Sequence, residues 1–166
     1  MGDAAGLSWR GLAWLWVAAL YSQLVGADLR SDIQALSEVT IARVQQFPEL
    51  RLRIRGLEFI PERLPAARLG AIDGALERFQ QVLGALLQQE PAAQVSNDVE
   101  NLRSLWQRLA AHLGCPLHTP PSSQADLGQL RARLDDSAFT VVSVTFDRLR
   151  ELLRFIRGHV DQVRSC

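Results

Sequence analysis

The chain has 166 residues, of which 48% are hydrophobic, and its 18 basic and 18 acidic residues give a formal net charge of zero. Because both signs of charge are intermixed, the basic surface of a protein that binds nucleic acid is not expected. All 18 basic residues are arginine, which excludes catalysis through a lysine Schiff base or a lysine general base.

The N-terminal residues carry the pattern of a secretory signal peptide. A basic residue precedes a short apolar stretch at 11–20, and Val25-Gly26-Ala27 supplies the −3 to −1 residues of a cleavage site. A retained membrane anchor needs about 20 apolar residues, and polar residues end this stretch earlier. We therefore expect a cleaved signal peptide at 1–27 and a secreted domain at 28–166, without membrane insertion after cleavage.

Four later runs have apolar residues at the spacing of three and four that is typical of amphipathic helices. They cover about residues 29–47, 68–87, 91–113 and 137–166. The apolar stripes, which we expect to form the core, are Leu29, Ile33, Leu36, Thr40, Val44 and Phe47; Leu69, Ile72, Leu76, Phe79, Leu83 and Leu86; Val95, Val99, Leu102, Trp106, Leu109 and Leu113; and Phe139, Val142, Phe146, Leu149, Leu153, Ile156, Val160 and Val163. The pattern predicts a helical bundle rather than long coiled-coil strands, because loops with proline and glycine separate the runs.

The two cysteines, Cys115 and Cys166, follow the ends of the third and fourth runs. An even number of cysteines in an exported chain favours one disulfide. Such a bond brings the two Cα atoms within about 7 Å, whereas the far end of a 20-residue helix is about 30 Å away. If the cysteines pair, the third and fourth helices are therefore parallel.

The lengths of the connections then determine the order of the helices. About three residues join the second and third runs, which makes these helices antiparallel neighbours. The other two connections have about 20 and about 23 residues, and at ~3.3 Å per residue each can return along a whole helix. The predicted fold is all-α, an up-up-down-down four-helix bundle with two long crossover loops and one disulfide. This topology is found in growth-hormone-like cytokines.

Three features of the sequence resemble the leptin family over about residues 32–166. Gly56-Leu57-Glu58-Phe59-Ile60-Pro61 resembles the family pattern Gly-Leu-Asp-Phe-Ile-Pro, and the two cysteines correspond to a family pair. Residues 94–103, Gln-Val-Ser-Asn-Asp-Val-Glu-Asn-Leu-Arg, resemble Gln-Ile-Ser-Asn-Asp-Leu-Glu-Asn-Leu-Arg. The resemblance implies a secreted hormone, monomeric when free and without a cofactor or metal. It would bind and activate a single-pass class I cytokine receptor of the leptin type and act in energy balance and appetite.

The resemblance also implies two receptor-binding faces. The main face, on the first and third helices, would contain Asp32, Ala35, Glu38, Arg43, Gln94, Asn101 and Leu105. The second face, in the first crossover and at the start of the fourth helix, would contain Leu57, Glu58, Phe59, Ile60, Thr140 and Val141. From the sequence alone, the third-helix stripe could also be a solvated surface. The apolar crossover residues could equally tuck onto the bundle as a lid.

The chain departs from the family pattern at positions that bear on recognition. Glu38 replaces a lysine and reverses its charge, Val141 replaces a threonine, and Gly158 replaces a tryptophan. Glu58 replaces an aspartate, which is a mild change. These departures concern recognition of a receptor adapted to the usual sequence more than they concern the fold.

Other classes of function fit the sequence less well. His112, Cys115 and His118 have a spacing that could ligate zinc, but no fourth ligand is evident and a disulfide would consume the thiolate. No nucleophile elbow or phosphate-binding loop indicates an enzyme. Another four-helix cytokine and a secreted amphipathic-helix lipid carrier remain as alternatives. A carrier opens its helices to bind lipid, which a disulfide between helix ends would oppose.

Overall fold

The computed structural model describes residues 9–49, 54–62, 66–117, 124–164 and 166, with side chains from residue 14 in the first helix and from residue 128 in the fourth. This part of the chain forms α-helices and one short 3-10 helix, and it contains no strand. The helices are α1 (Trp9–Val44), α2 (Leu69–Ala85), α3 (Ala92–His112) and α4 (Gln124–His159), and the 3-10 helix is Val160–Gln162. The all-α prediction is confirmed.

The direction of α4 against α1 follows from the contacts between them. Arg30 lies near the start of the part of α1 that packs against the other helices. Its Nη2 donates a hydrogen bond of 2.8 Å to the carbonyl of Val163, which follows the end of α4. Near the end of α1, the Val44 carbonyl accepts a hydrogen bond from Arg150, further back along α4. The contacts advance in opposite senses along the two helices, so α1 and α4 are antiparallel.

Helix α3 runs opposite to both α1 and α2. Arg43 near the end of α1 lies 2.9 Å from Asp98 near the start of α3. Asp73 near the start of α2 pairs with Arg103 in the second half of α3. Each helix packs on the two helices that run opposite to it, so α1 lies beside α3 and α4, and α2 also lies beside α3 and α4. The up-up-down-down order is therefore confirmed.

The disulfide joins the ends of the two parallel helices, as expected. Cys115 and Cys166 are bonded with their Cα atoms 5.4 Å apart. The chain leaves α3 through Gly114, whose φ of +70° is a conformation that favours glycine. Gly114 N–H donates to the Ala111 carbonyl at 3.0 Å and Cys115 N–H to the Ala110 carbonyl at 2.9 Å. These hydrogen bonds satisfy carbonyls in the last turn of α3, and the bend at Gly114 directs Cys115 towards Cys166 beyond the end of α4.

The predicted apolar stripes form the core with one exception. Their members are buried or half-buried in all four helices, but Phe139 is 66% exposed. The prediction for Phe139 is wrong because helical geometry breaks at Ser137, where φ is −159° and ψ is 81°. Phe139 lies in the first turn after the break, where Ser137 Oγ and Thr140 Oγ1 are 2.8 Å apart. The side chain faces solvent there.

The sequence pattern missed helical residues at the start of α4 and of α1. The break at Ser137 divides α4 into a first segment, residues 124–136, which buries Leu130 against the core, and a main segment that begins where the fourth run was predicted. Helix α1 begins at Trp9 and is continuous through the predicted cleavage site. The apolar side chains exposed along the N-terminal part of α1 are Trp14, Leu15, Trp16, Val17, Leu20, Tyr21 and Leu24. None of the described helices is long and apolar enough to cross a membrane.

Candidate functional site

The α1 residues of the predicted main face lie on the helix surface. Asp32, Ala35 and Arg43 are all exposed. Val39 lies between the last two, one helical turn from each, and is 48% exposed. An exposed branched apolar residue on a polar stripe is a candidate contact residue. The sequence prediction did not include Val39, although its spacing of four residues from Ala35 and from Arg43 could have identified it.

The α3 residues of this face lie beside the core stripe. Gln94 and Asn101 are exposed, and Leu105 is half-buried with part of its side chain packed on the core. A half-buried leucine presents apolar surface in a fixed position, because the core holds its inner part. The stripe therefore carries two amides and one anchored apolar group.

The structure brings the two stripes together through direct contact between α1 and α3. Arg43 Nε lies 2.9 Å from Asp98 Oδ2, and Gln94 Nε2 donates to Asp98 Oδ1 at 3.5 Å. The buried Asp98 carboxylate thus touches one predicted residue from each helix. The α1 stripe and the α3 stripe form one surface, which we call the main face.

Glu38 lies at the edge of the main face, on the side of α4. Its carboxylate is 3.2 Å from the Arg157 guanidinium of α4, and both side chains are largely exposed. Glu38 therefore contacts α4, whereas Arg43 of the same predicted face contacts α3. The negative charge, which is reversed relative to the family pattern, has a local partner in this chain.

Arg103, from the motif that opens α3, connects α3 to α2. Its guanidinium binds the buried Asp73 carboxylate at 2.9 Å and lies 3.5 Å from Glu77. The hydrogen bond to Asp73 raises the pKa of Arg103, although burial acts in the opposite direction. Arg103 remains charged at physiological pH and holds two helices together. It is not a member of the main face.

The six residues of the predicted second face divide into a buried set and a surface set. Leu57, Ile60 and Val141 are buried in the core. Among the others, Glu58 is exposed, and Phe59 and Thr140 are half-buried. Leu57 and Ile60 tuck onto the bundle as a lid, whereas Glu58 and part of the Phe59 side chain are accessible at the surface, where a receptor contact stays a prediction. We call Glu58, Phe59 and Thr140 the second face.

The crossover is bound to α4 through Arg148 and approaches α4 closely at Gly56. Arg148 Nη1 donates to the Leu57 and Ile60 carbonyls, each at 2.8 Å. A β-carbon on Gly56 would lie 2.7 Å from Arg133 Nε, and Gly56 has a φ of +87°. Arg133 and Arg148 lie on either side of Thr140 in α4, so the crossover and Thr140 share one side of the bundle.

Local hydrogen bonding orients Glu58, the most exposed member of the second face. Its carboxylate accepts a hydrogen bond from the Gly56 N–H at 2.8 Å. The exposed Phe139 precedes Thr140 in the chain and adds apolar surface next to it. The sequence prediction missed Phe139 as a surface residue because its spacing continues the core stripe of α4.

The possible zinc ligands are not assembled in the described part of the chain. Cys115 is bonded to Cys166, so its sulfur has no thiolate to offer. His112 instead lies 3.5 Å from Ser22 Oγ, and His118 lies outside the described residues. No cluster of three metal-ligating side chains occurs within the described ranges.

The topology and the disulfide define a class of protein. Two parallel pairs of helices, long crossovers and a buried apolar core are the features of growth-hormone-like helical cytokines. The apolar stripes that a lipid carrier would expose are inside this bundle.

Comparison with known proteins then identifies the family. The Leptin family model matches residues 27–166. The chain is 32% identical to leptin of Macaca mulatta over 168 residues, which cover 95% of this chain and 99% of the relative. It is 31% identical to leptin of Mus musculus over 169 residues (96% and 100%) and 30% identical to leptin of Gallus gallus over 165 residues (96% and 100%). The chain belongs to the leptin family, which is a family of cytokine-type hormones.

Proposed function

We propose that this chain is a secreted hormone that binds and activates a leptin-type class I cytokine receptor and thereby acts in energy balance and appetite. Its active form is residues 28–166, which remain after removal of the signal peptide. Family membership over the whole bundle supports the receptor class. The observation that carries the proposal is the main face, because residues distant in sequence lie together on an exposed surface beside a closed core.

The main face has the composition of a recognition surface. It combines exposed amide and charged groups with Val39 and the anchored Leu105. Apolar residues fixed by the core lose little conformational entropy on binding, whereas the polar groups around them provide orientation. We assign capture of the receptor to this face.

The second face has a separate role in activation. It lies on the crossover and α4, whereas the main face lies on α1 and α3, so one bundle can contact two receptor chains. A rigid ligand with two sites fixes the distance between the chains that it joins. We assign to Glu58, Phe59 and Thr140 the contact that converts a captured receptor into an active assembly.

Replacement of two main-face residues tests capture. In residues 28–166, Asn101→Ala combined with Leu105→Ala should weaken binding to the ectodomain of the same species' receptor at least about tenfold, equivalent to ~1.4 kcal/mol. Helicity should not change, because Asn101 is exposed and Leu105 packs only part of its side chain on the core. Surface plasmon resonance and circular dichroism measure the two quantities.

The matched control uses an exposed leucine and amide elsewhere. Leu87 and Gln88, after α2, are both exposed, and Leu87→Ala with Gln88→Ala should leave the affinity unchanged. If the main-face pair alters affinity by less than about twofold, or ~0.4 kcal/mol, the main face does not capture the receptor.

A further inference from the structure

We infer that Asp98 is a positioning residue of the main face: it acts on the receptor through Arg43 and Gln94 without touching the receptor itself. The inference rests on the proposed function of the main face. Asp98 lies in the family-like motif that opens α3, but it was not among the residues that the resemblance assigned to binding.

Burial excludes Asp98 from direct contact. The residue is 5% exposed, and its carboxylate lies between α1 and α3. A receptor side chain at the surface could reach Arg43 and Gln94, which are both exposed, but not the carboxylate beneath them. Any effect of Asp98 on binding must therefore pass through its neighbours or through the stability of the bundle.

The geometry indicates which neighbours respond. Asp98 Oδ2 lies 2.9 Å from Arg43 Nε, and Oδ1 accepts from Gln94 at 3.5 Å. The contact with Oδ2 is an ion pair without a directed hydrogen bond. Each oxygen thus contacts a side chain from a different helix. Asp98 thereby fixes the position of Arg43 on α1 relative to Gln94 on α3.

The orientation of Arg43 leaves part of its guanidinium for a partner. The Arg43 side chain is 40% exposed, and the ion pair uses Nε. Within the described part of the chain, no other ion pair or hydrogen bond engages the terminal Nη groups of Arg43. The fork of an arginine binds planar acceptors with two parallel donors. The ion pair at Nε keeps the guanidinium beside Asp98 and leaves the Nη groups available at the surface. A guanidinium that is already held there loses less entropy on binding.

A double-mutant cycle tests whether Asp98 acts through Arg43. The four proteins are residues 28–166 with the native pair, with Asp98→Asn, with Arg43→Gln, and with both substitutions. Asparagine has the shape of aspartate and can still accept from Gln94, but it does not attract a guanidinium. We expect each single change to weaken receptor binding about tenfold and the double change to be no weaker than Arg43→Gln alone.

A control variant separates an effect on receptor binding from an effect on the stability of the bundle alone. Asp73→Asn provides the control, because Asp73 is also a buried carboxylate paired with an arginine, but it joins α2 to α3. We expect this variant to unfold at lower urea concentration while its receptor affinity stays within about twofold of the native value. If the double Asp98/Arg43 variant loses about a hundredfold, the two effects are additive and the inference is wrong.

One surface variant keeps the inference testable should Asp98→Asn not fold. Arg43→Lys retains a positive charge that Asp98 can still attract, but it has neither the Nε that forms the native ion pair nor the planar fork. We expect it to lose about as much affinity as Arg43→Gln; full affinity would contradict positioning through Nε. If the Asn101/Leu105 variant binds normally, the proposed function itself fails. If that variant is weak but the cycle is additive, only the role of Asp98 fails.

Discussion

Two arginines of α4, Arg148 and Arg150, are buried and bind main-chain carbonyls. Arg150 Nη2 donates to the Val44 carbonyl at 2.6 Å and to the Phe47 carbonyl at 2.8 Å, at the point where α1 ends. Arg148 holds the crossover in the same way. The last carbonyls of a helix have no helical donors and carry partial negative charge, so a buried guanidinium satisfies them. The apolar stripe predicted for α4 includes neither arginine. The course of the crossover could not be predicted from the sequence because it depends on these tertiary contacts.

Arg150→Lys should destabilise the bundle by about 2 kcal/mol, because a lysine keeps the charge but cannot reach two carbonyls with one planar group. Arg157→Lys is the matched control on the same helix, where the native side chain is largely exposed. Its effect should stay within about 0.5 kcal/mol. Urea unfolding followed by circular dichroism measures both variants. Equal stability of the two would show that the buried carbonyl contacts contribute nothing.

Gly56→Ala should destabilise the protein by about 1–3 kcal/mol, since alanine is strained at the positive φ of this residue. The new β-carbon would also displace the end of the exposed Arg133 side chain. Gly74 in α2 gives the opposite expectation. A β-carbon there meets nothing within 4 Å, so Gly74→Ala should stabilise the helix by about 1 kcal/mol. Thermal melting of the two variants compares them directly. A stabilising Gly56→Ala would contradict the left-handed backbone conformation of the crossover at Gly56.

At the scale of the helices, periodicity identified the core well but missed some boundaries. The first segment of α4 has leucines at 127, 130 and 134, which is a short helical signal that the long loop assignment overlooked. Every residue from Val141 to Arg150 is buried, because this stretch contacts α1, α2 and the crossover. A helix enclosed on all sides has no polar face from which periodicity could separate inside from outside.

The continuous helix α1 leads to a prediction about processing. Its N-terminal part exposes a series of apolar side chains, whereas the part after Ala27 packs its stripe into the core. Secretion from a mammalian cell line should remove the exposed part, and N-terminal sequencing should give Asp28 as the first residue. A control with Ala27→Arg should block cleavage at this position. A native product that begins at Met1 would contradict the signal peptide.

At the scale of the molecule, the disulfide and the crossovers determine where the two faces lie. The bond between Cys115 and Cys166 closes a loop of 51 residues in sequence separation, and in the chain-entropy model a loop of this size stabilises the fold by about 4 kcal/mol. The topology followed from the sequence because cysteine positions and loop lengths have few geometric solutions. Which residues of the predicted faces are exposed could not be predicted from the sequence, because the burial of individual crossover residues depends on tertiary contacts.

The central claim is that capture and activation belong to different faces, and a variant of the second face tests it most directly. Glu58→Ala with Phe59→Ala, in residues 28–166, removes an exposed carboxylate and a half-buried ring that packs partly on the core, and it keeps the fully buried Leu57 and Ile60. Receptor affinity should stay within about twofold, because the main face is intact. Leu57→Ala is the control for damage to the fold, and it should lower stability by about 2–5 kcal/mol.

Receptor phosphorylation, melting temperature and affinity measured on the same preparation of the Glu58/Phe59 variant decide the question. We predict native affinity, a melting temperature far closer to the native value than that of Leu57→Ala, and phosphorylation reduced at least about tenfold, so that the variant competes with the native hormone and blocks it. Full phosphorylation by a folded Glu58/Phe59 variant that binds normally would contradict the division of roles between the two faces.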